Sequence, residues 1–134
     1  QIGPQSLIVP LGDGIGVTRV EVGNDGGAWN VKETWTCKKF KPSFNDFVFH
    51  EGYCYGFDNN AFSCLNAETG EVTWRTASYG FGQVILLADV GRLVVTTEKG
   101  DAVMLAADPK ERKELGRVHL INGNPHRFGH YYFH

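Results

Sequence analysis

His126, His130 and His134 recur every four residues, a spacing that on a helix would line one face with imidazoles and hold a metal ion. Pro125, Gly129 and the aromatic run Tyr131-Tyr132-Phe133 argue against a helix there. In a strand the three would share one side, so the segment reads as an exposed tail that could take up a transition metal adventitiously. His50 and His119 fall in strand-like stretches and read as hydrogen-bonded structural residues. Cys37, Cys54 and Cys64 form no Cys-x-x-Cys or vicinal pair, the spacings that support zinc or redox chemistry. If Asn59-Asn60 is a two-residue turn, Tyr55 lies opposite Cys64 and Cys54 faces the other side of the sheet. A Cys54–Cys64 bridge is then disfavoured, and all three thiols read as buried, reduced small hydrophobes. Glu68 and Glu71 flank a turn and read as solvated. Gly12-Asp13-Gly14-Ile15-Gly16 is a hairpin turn rather than a phosphate loop, because a strand and not a helix comes after it. No nucleophile elbow is present, and no residue is singled out as catalytic or metal-binding.

The aromatics are the remaining candidates. Phe44, Phe47, Tyr53, Tyr55, Phe57, Tyr79 and Phe81 are dense around the middle of the chain. Most serve packing, but Tyr79-Gly80-Phe81-Gly82-Gln83 lies in a connection. Tyr79, Phe81 and Gln83 are therefore the candidate binding surface, since exposed aromatic rings give contact area at low entropic cost.

The elements that must position these residues are strands. Val17–Val22 and Val31–Cys37 alternate apolar and polar with period two, with Gly23–Gly27 as the loop between them. The second alternation puts Val31, Glu33, Trp35 and Cys37 on one face. Lys38 to Lys41 is a basic connector ending at Pro42. Phe47–His50, Tyr53–Phe57, Ala61–Asn66 and Glu71–Thr76 come next as four short strands, and Gln83–Ala88, Leu93–Thr97, Ala102–Ala107 and Leu115–Leu120 repeat the order. Asp108–Lys113 is a polar loop with room for one helical turn. Trp35 and Trp74 stand about 40 residues apart, and Leu115 or Arg117 falls where a third Trp would stand. Leu65-Asn66-Ala67-Glu68-Thr69-Gly70-Glu71-Val72-Thr73-Trp74 reads as a strand end, a turn closed by Gly70 at φ > 0, and a strand with Val72 and Trp74 on one face. A sandwich or barrel of about ten strands would also give short strands with turn signals. The period and the Thr-Gly-x-x-x-Trp turn, at Thr69, Gly70 and Trp74, decide against it.

That turn resembles the repeat of the quinoprotein-like (PQQ-like repeat) β-propeller family, whose signature is Ala/Asp-x-x-Thr-Gly-x-x-x-Trp. Further matches are Pro42–Val48, Gly52–Asp58, Cys64-Leu65-Asn66, Tyr79–Gln83 and Glu98-Lys99-Gly100. The resemblance is good from about Trp35 onward and weak before it. It implies an all-β fold of about three antiparallel four-stranded propeller blades: a partial blade over 7–37, blades over 46–76 and 82–120, and a tail over 121–134. All belong to one domain. The family's connector Trp is missing after Ile121, and the chain opens on Gln1 partway into a blade, which is expected of a processed, truncated or diverged product.

Family enzymes bind a quinone with calcium beside a vicinal disulfide and a catalytic Asp. Here the oxygen ligands Asp46, Asp58, Asn59, Glu98 and Asp101 are scattered over separate turns and the vicinal Cys pair is absent, so no cofactor is expected. The resemblance implies a non-catalytic scaffold that binds protein or another ligand. The alternative is a fragment of a quinoprotein-like oxidoreductase whose cofactor site is absent or incomplete here. A folded product without a selected role fits the same residues. The net charge of −2 gives no footprint for nucleic acid, and no apolar run is long enough to span a membrane. About three blades in a family of closed rings leave end faces bare, which implies self-association, most simply as a two-fold dimer. Tyr131–Phe133 is the expected pairing strand. The family's usual home is periplasmic or secreted.

Overall fold

In the computed structural model, which describes residues 1–12, 14–42 and 45–121, the chain is all-β with three antiparallel sheets. The first contains β1 (Ser6–Pro10), β2 (Val17–Asp25) and β3 (Ala28–Cys37) in that order. The second contains β4 (Phe47–His50), β5 (Tyr53–Asp58), β6 (Ala61–Asn66) and β7 (Val72–Thr76). The third contains β8 (Gln83–Leu87), β9 (Arg92–Thr96), β10 (Asp101–Ala106) and β11 (Glu114–His119). A single 3-10 turn at Ala88–Val90 is the only helix among the described residues, so the helical turn allowed for at Asp108–Lys113 does not form. The second and third sheets are four-stranded meanders. The first lacks a strand beyond β1, among the described residues, and leaves that edge unpaired.

The β2–β3 hairpin is longer than its sequence suggests. Gly23–Asp25 continue the ladder to the pair Asp25–Ala28, and the loop shrinks to Gly26-Gly27. Both glycines have positive φ (64° and 94°), which gives a two-residue turn whose twist matches that of the strands. Trp29 and Val31 project from this extension and are exposed.

The sheets stack, and the second is the centre of the stack. Tyr55, Phe57, Phe62 and Cys64 pack with Leu93, Val95, Val103 and Leu105 of the third sheet. From the opposite face, Cys54 and Leu65 pack with Ile8, Val17 and Cys37 of the first sheet and with Phe40. Period-two alternation along β5 and β6 supplies both faces with apolar side chains. The backbones of the second and third sheets come closest where β4 and β5 meet β8.

One irregularity recurs in all three sheets. The last strand of each carries a β-bulge: at Thr34 opposite Arg19/Val20, at Thr73 opposite Cys64/Leu65, and at Leu115 opposite Met104/Leu105. The extra residue reverses the facing of the strand beyond it. Val72 therefore packs toward the first sheet and Trp74 toward the third, not on one face as strict alternation predicts. For the same reason Val31 is exposed while Trp35 and Cys37 enter the core. By register, the position of Trp74, opposite Cys64, is filled in the third sheet by Gly116, opposite Met104. Neither Leu115 nor Arg117 occupies it.

The bulge aims each Trp at the next sheet. Trp35 Nε1 donates to the Ala67 carbonyl at 3.3 Å, and Trp74 Nε1 donates to the Asp108 carbonyl at 2.8 Å. Both acceptors lie in the connection between the last two strands of the next sheet along the chain. Gly70, at φ 76°, completes the first dock, because a Cβ there would stand 2.7 Å from the Trp35 ring. Arg19 Nη1 reaches the same Ala67 carbonyl at 3.2 Å and also pairs with Glu68.

Three substitutions at two positions test this docking by urea denaturation. Trp74→Phe keeps ring contacts with Tyr55 and Phe62 but removes the indole donor, and should cost about 1 kcal/mol; Trp74→Ala should cost about 3 kcal/mol. Gly70→Ala combines an unfavourable φ with a clash against Trp35, and should lower stability by more than about 1 kcal/mol. A neutral Gly70→Ala variant would mean that the Trp35 ring does not bear on this turn.

Candidate functional site

The connection between β7 and β8 carries the three residues singled out for binding, and it separates them. Tyr79 is 2% exposed and belongs to the core, edge-on to Phe62. Its hydroxyl donates to Glu114 Oε2 at 3.2 Å, and the guanidinium carbons of Arg112 and Arg117 lie 5.7 and 5.9 Å from its ring centre. Burial raises its pKa. Tyr79 therefore anchors the connection and is not an exposed platform. Phe81 is 51% exposed and presents its ring to solvent. Gln83 is half-buried, with Nε2 donating to Asn45 Oδ1 at 2.9 Å. Gly82 lets the connection cross closely over β9, since a Cβ there would lie 1.9 Å from the Thr96 carbonyl oxygen. Among the candidates, only Phe81 offers an open apolar contact, two residues from the buried Tyr79.

The thiols occupy two separate interiors. Tyr55 pairs with Cys64 and Asn59-Asn60 is the turn, as the spacing implied; Cys54 joins the core facing the first sheet and Cys64 the core facing the third. All three cysteines are buried and free. Burial raises the Cys54 thiol to about 12 and the Cys64 thiol to about 11. These are inert packing groups rather than nucleophiles.

Two of the oxygen ligands considered for calcium are engaged in ion pairs. Asp58 is paired with Arg75, and Asp101 with Arg117 and His119. Among the described residues no group of three or more His, Cys, Asp or Glu side chains could hold a metal ion. His119 Nδ1 is 2.7 Å from Asp101 Oδ1, and His50 Nε2 is 3.9 Å from Glu51. His126, His130, His134, Phe44 and Tyr131–Phe133 lie outside the described residues, as does Asp13 of the Gly-rich turn. Among the described residues no helix is long and apolar enough to cross a membrane.

Two further features bear on binding: the first was expected in outline as a bare end face, and the second was not singled out in the sequence. The first is the outer face of the third sheet, where Ile85, Val94 and Met104 align across β8, β9 and β10, flanked by Leu87 and Val118. Counting from the matched bonds Ala67 N–H to Gly52 O and Ala107 N–H to Gly91 O, Val94 and Met104 correspond to Tyr55 and Cys64. In the second sheet that face is covered by the third, and Tyr55 and Cys64 are 1% and 0% exposed; here Met104 is 41% exposed. The second feature is an open cleft of about 410 Å³ lined by Lys38, Lys39, Lys41, Asp58, Asn59 and Arg75. Its only trace in the sequence is the basic connector Lys38–Lys41. No protein-family model matches the chain, and no curated protein is detectably similar to it.

The buried thiols make the fold base-sensitive. Their folded pKa values exceed those of the unfolded chain, about 8.5, so above that pH the native state binds more protons than the unfolded state and stability falls. The expected slope between pH 9 and 10 is up to about 1.4 kcal/mol per pH unit for each thiol, and Cys54→Ala should remove one share. Iodoacetamide at pH 8 should leave Cys54 and Cys64 unmodified until urea is added. Rapid native labelling of either would contradict this burial.

Proposed function

We propose that this chain is a non-catalytic β-propeller repeat module, a scaffold that binds through its sheet faces and inter-sheet connections. The observation that carries the reading is the repeated dock of Trp35 onto Ala67 and Trp74 onto Asp108, which sets successive sheets in one sense. The close approach of the second and third sheets at β4, β5 and β8 supports a radial arrangement narrowing toward the leading strands. The exposed ring of Phe81, in an inter-sheet connection, is the contact offered to a protein or other ligand.

Under this reading the bare faces at the two ends are covered by a second copy. The outer face of the third sheet carries Ile85, Leu87, Met104 and Val118, and that of the first carries Leu7, Val9 and Val20. Two copies about a two-fold axis would lay each third sheet on the partner's first sheet and close both pairs of faces.

Size exclusion with light scattering should give twice the 14.9 kDa chain mass at micromolar concentration. Met104→Glu, which places a charge on the bare third-sheet face, should give a folded monomer by circular dichroism. A monomeric parent chain would sink the self-associating propeller reading and bring an independent stack of sheets to the front.

A further inference from the structure

The cleft beside Asp58 has the construction of an anion site. Three elements supply it: the connector between β3 and β4 brings Lys38, Lys39 and Lys41, the β5–β6 turn brings Asp58 and Asn59, and β7 brings Arg75. The connector is pinned. Phe40, at 0% exposure, is buried edge-on against Phe47 with ring centres 5.7 Å apart, and the Lys41 N–H donates to Asp58 Oδ1 at 3.2 Å. The Lys39 and Lys41 stems therefore leave from either side of a fixed anchor.

Asp58 is 5% exposed and, among the described residues, is the only carboxylate lining the cleft. Its second oxygen accepts from Arg75 Nε at 3.1 Å. Arg75 is consequently oriented through Nε, and its two terminal nitrogens make no hydrogen bond among the described residues. The three lysine ammonium groups likewise enter no ion pair among the described residues. Four cationic residues and one carboxylate thus line the cleft in a chain whose overall charge is −2, so the excess is local. Like charges gathered in one concavity repel one another, and an anion seated among them relieves that repulsion. A guanidinium held at Nε with its terminal nitrogens free can still donate to an oxyanion, with lysines as added point charges. The volume of about 410 Å³ falls within the range of clefts that take small molecules, about 300–1,000 Å³.

We propose that this cleft binds a small ligand bearing a phosphate or sulfate group, with the terminal nitrogens of Arg75 donating to its oxygens and Lys38, Lys39 and Lys41 neutralising its charge. The site is independent of the propeller reading and of self-association.

Calorimetric titration of the full chain with inorganic pyrophosphate and with inorganic sulfate, at ionic strength held constant with potassium chloride, tests this. Saturable one-site binding of at least one probe is expected, and it should weaken when the titration is repeated at a higher fixed ionic strength. The double variant Lys39→Ala/Lys41→Ala should weaken binding about tenfold or more while melting like the parent chain. Arg75→Gln should weaken it at least as much. Absence of saturable binding of either probe up to about 10 mM overturns the proposal. So does binding that the lysine double variant leaves unchanged, and so does capture of duplex DNA by a chain that ignores both small probes.

Discussion

An indole N–H taken out of water must find an acceptor, and in this chain the acceptor is always in the next sheet. Trp35 and Trp74 sit in strands whose own ladders cannot satisfy a side-chain donor. The Ala67 and Asp108 carbonyls lie where a connection turns between the last two strands of the adjoining sheet. This requirement ties sheets that share no backbone ladder. Apolar packing alone would let two sheets slide or rotate over one another, since burial is roughly proportional to area and indifferent to direction. A hydrogen bond with a defined acceptor, and a ring lying on Gly70 where a methyl group would collide, fixes the offset. The recurring bulge makes the arrangement work. Were Thr34 and Thr73 paired in regular alternation rather than bulged, each Trp would keep the facing of its strand's first half and point away from the sheet it docks on.

Burial is unevenly distributed, and chemistry tracks the distribution. The second sheet is covered on both faces, so β5 and β6 are buried almost throughout, and the titratable groups trapped there are forced neutral or paired. Cys54, Cys64 and Tyr55 are held protonated by desolvation. Asp58, at the end of β5, keeps its place by accepting from Lys41 and Arg75. The outer sheets are covered on one face only and leave apolar side chains exposed on the other, Ile85, Met104 and Val118 on one sheet and Val9 and Val31 on the other.

Much of this was legible in the residues because strand signals here are local. The Asn59-Asn60 turn fixed the pairing of Tyr55 with Cys64, and through it the facing of all four residues around them. The Thr69-Gly70 turn was equally plain, although the Asn66 side chain that receives the Glu68 and Thr69 N–H groups carries no signal of its own. The bulges were not legible. Thr34, Thr73 and Leu115 look like ordinary strand residues, and an inserted residue shows only when two strands are laid side by side. That is why Val72 and Trp74 read as neighbours on one face. Tyr79 was misplaced for a related reason: its burial depends on Phe62 of β6 and on Arg112, Glu114 and Arg117 in and just before β11, more than 30 residues away along the chain in the latter case. The basic cleft was half visible, as a run of lysines. The run becomes a concavity only because Phe40 is drawn into the core between the lysines and because β7 carries Arg75 up beside the β5–β6 turn.

The two ends of the stack are not copies of its interior. Inside, a donor Trp meets an acceptor turn. At the third-sheet end, Gly116 stands where the donor would be, so that face offers apolar packing and no indole. At the first-sheet end, the long β2–β3 hairpin runs on to Gly26-Gly27 and replaces the short acceptor turn seen at Ala67–Glu71. A contact between copies therefore cannot repeat the internal dock, even though the faces involved correspond to internal ones. Identical, fully compatible ends would favour unlimited head-to-tail growth, the route to filaments when rotation does not close. Ends that match in hydrophobicity but lack the orienting hydrogen bond remove that bias. Area and shape alone would hold such a contact, so under the proposed two-fold association its geometry would come from closure, with each copy covering both bare faces of the other at once.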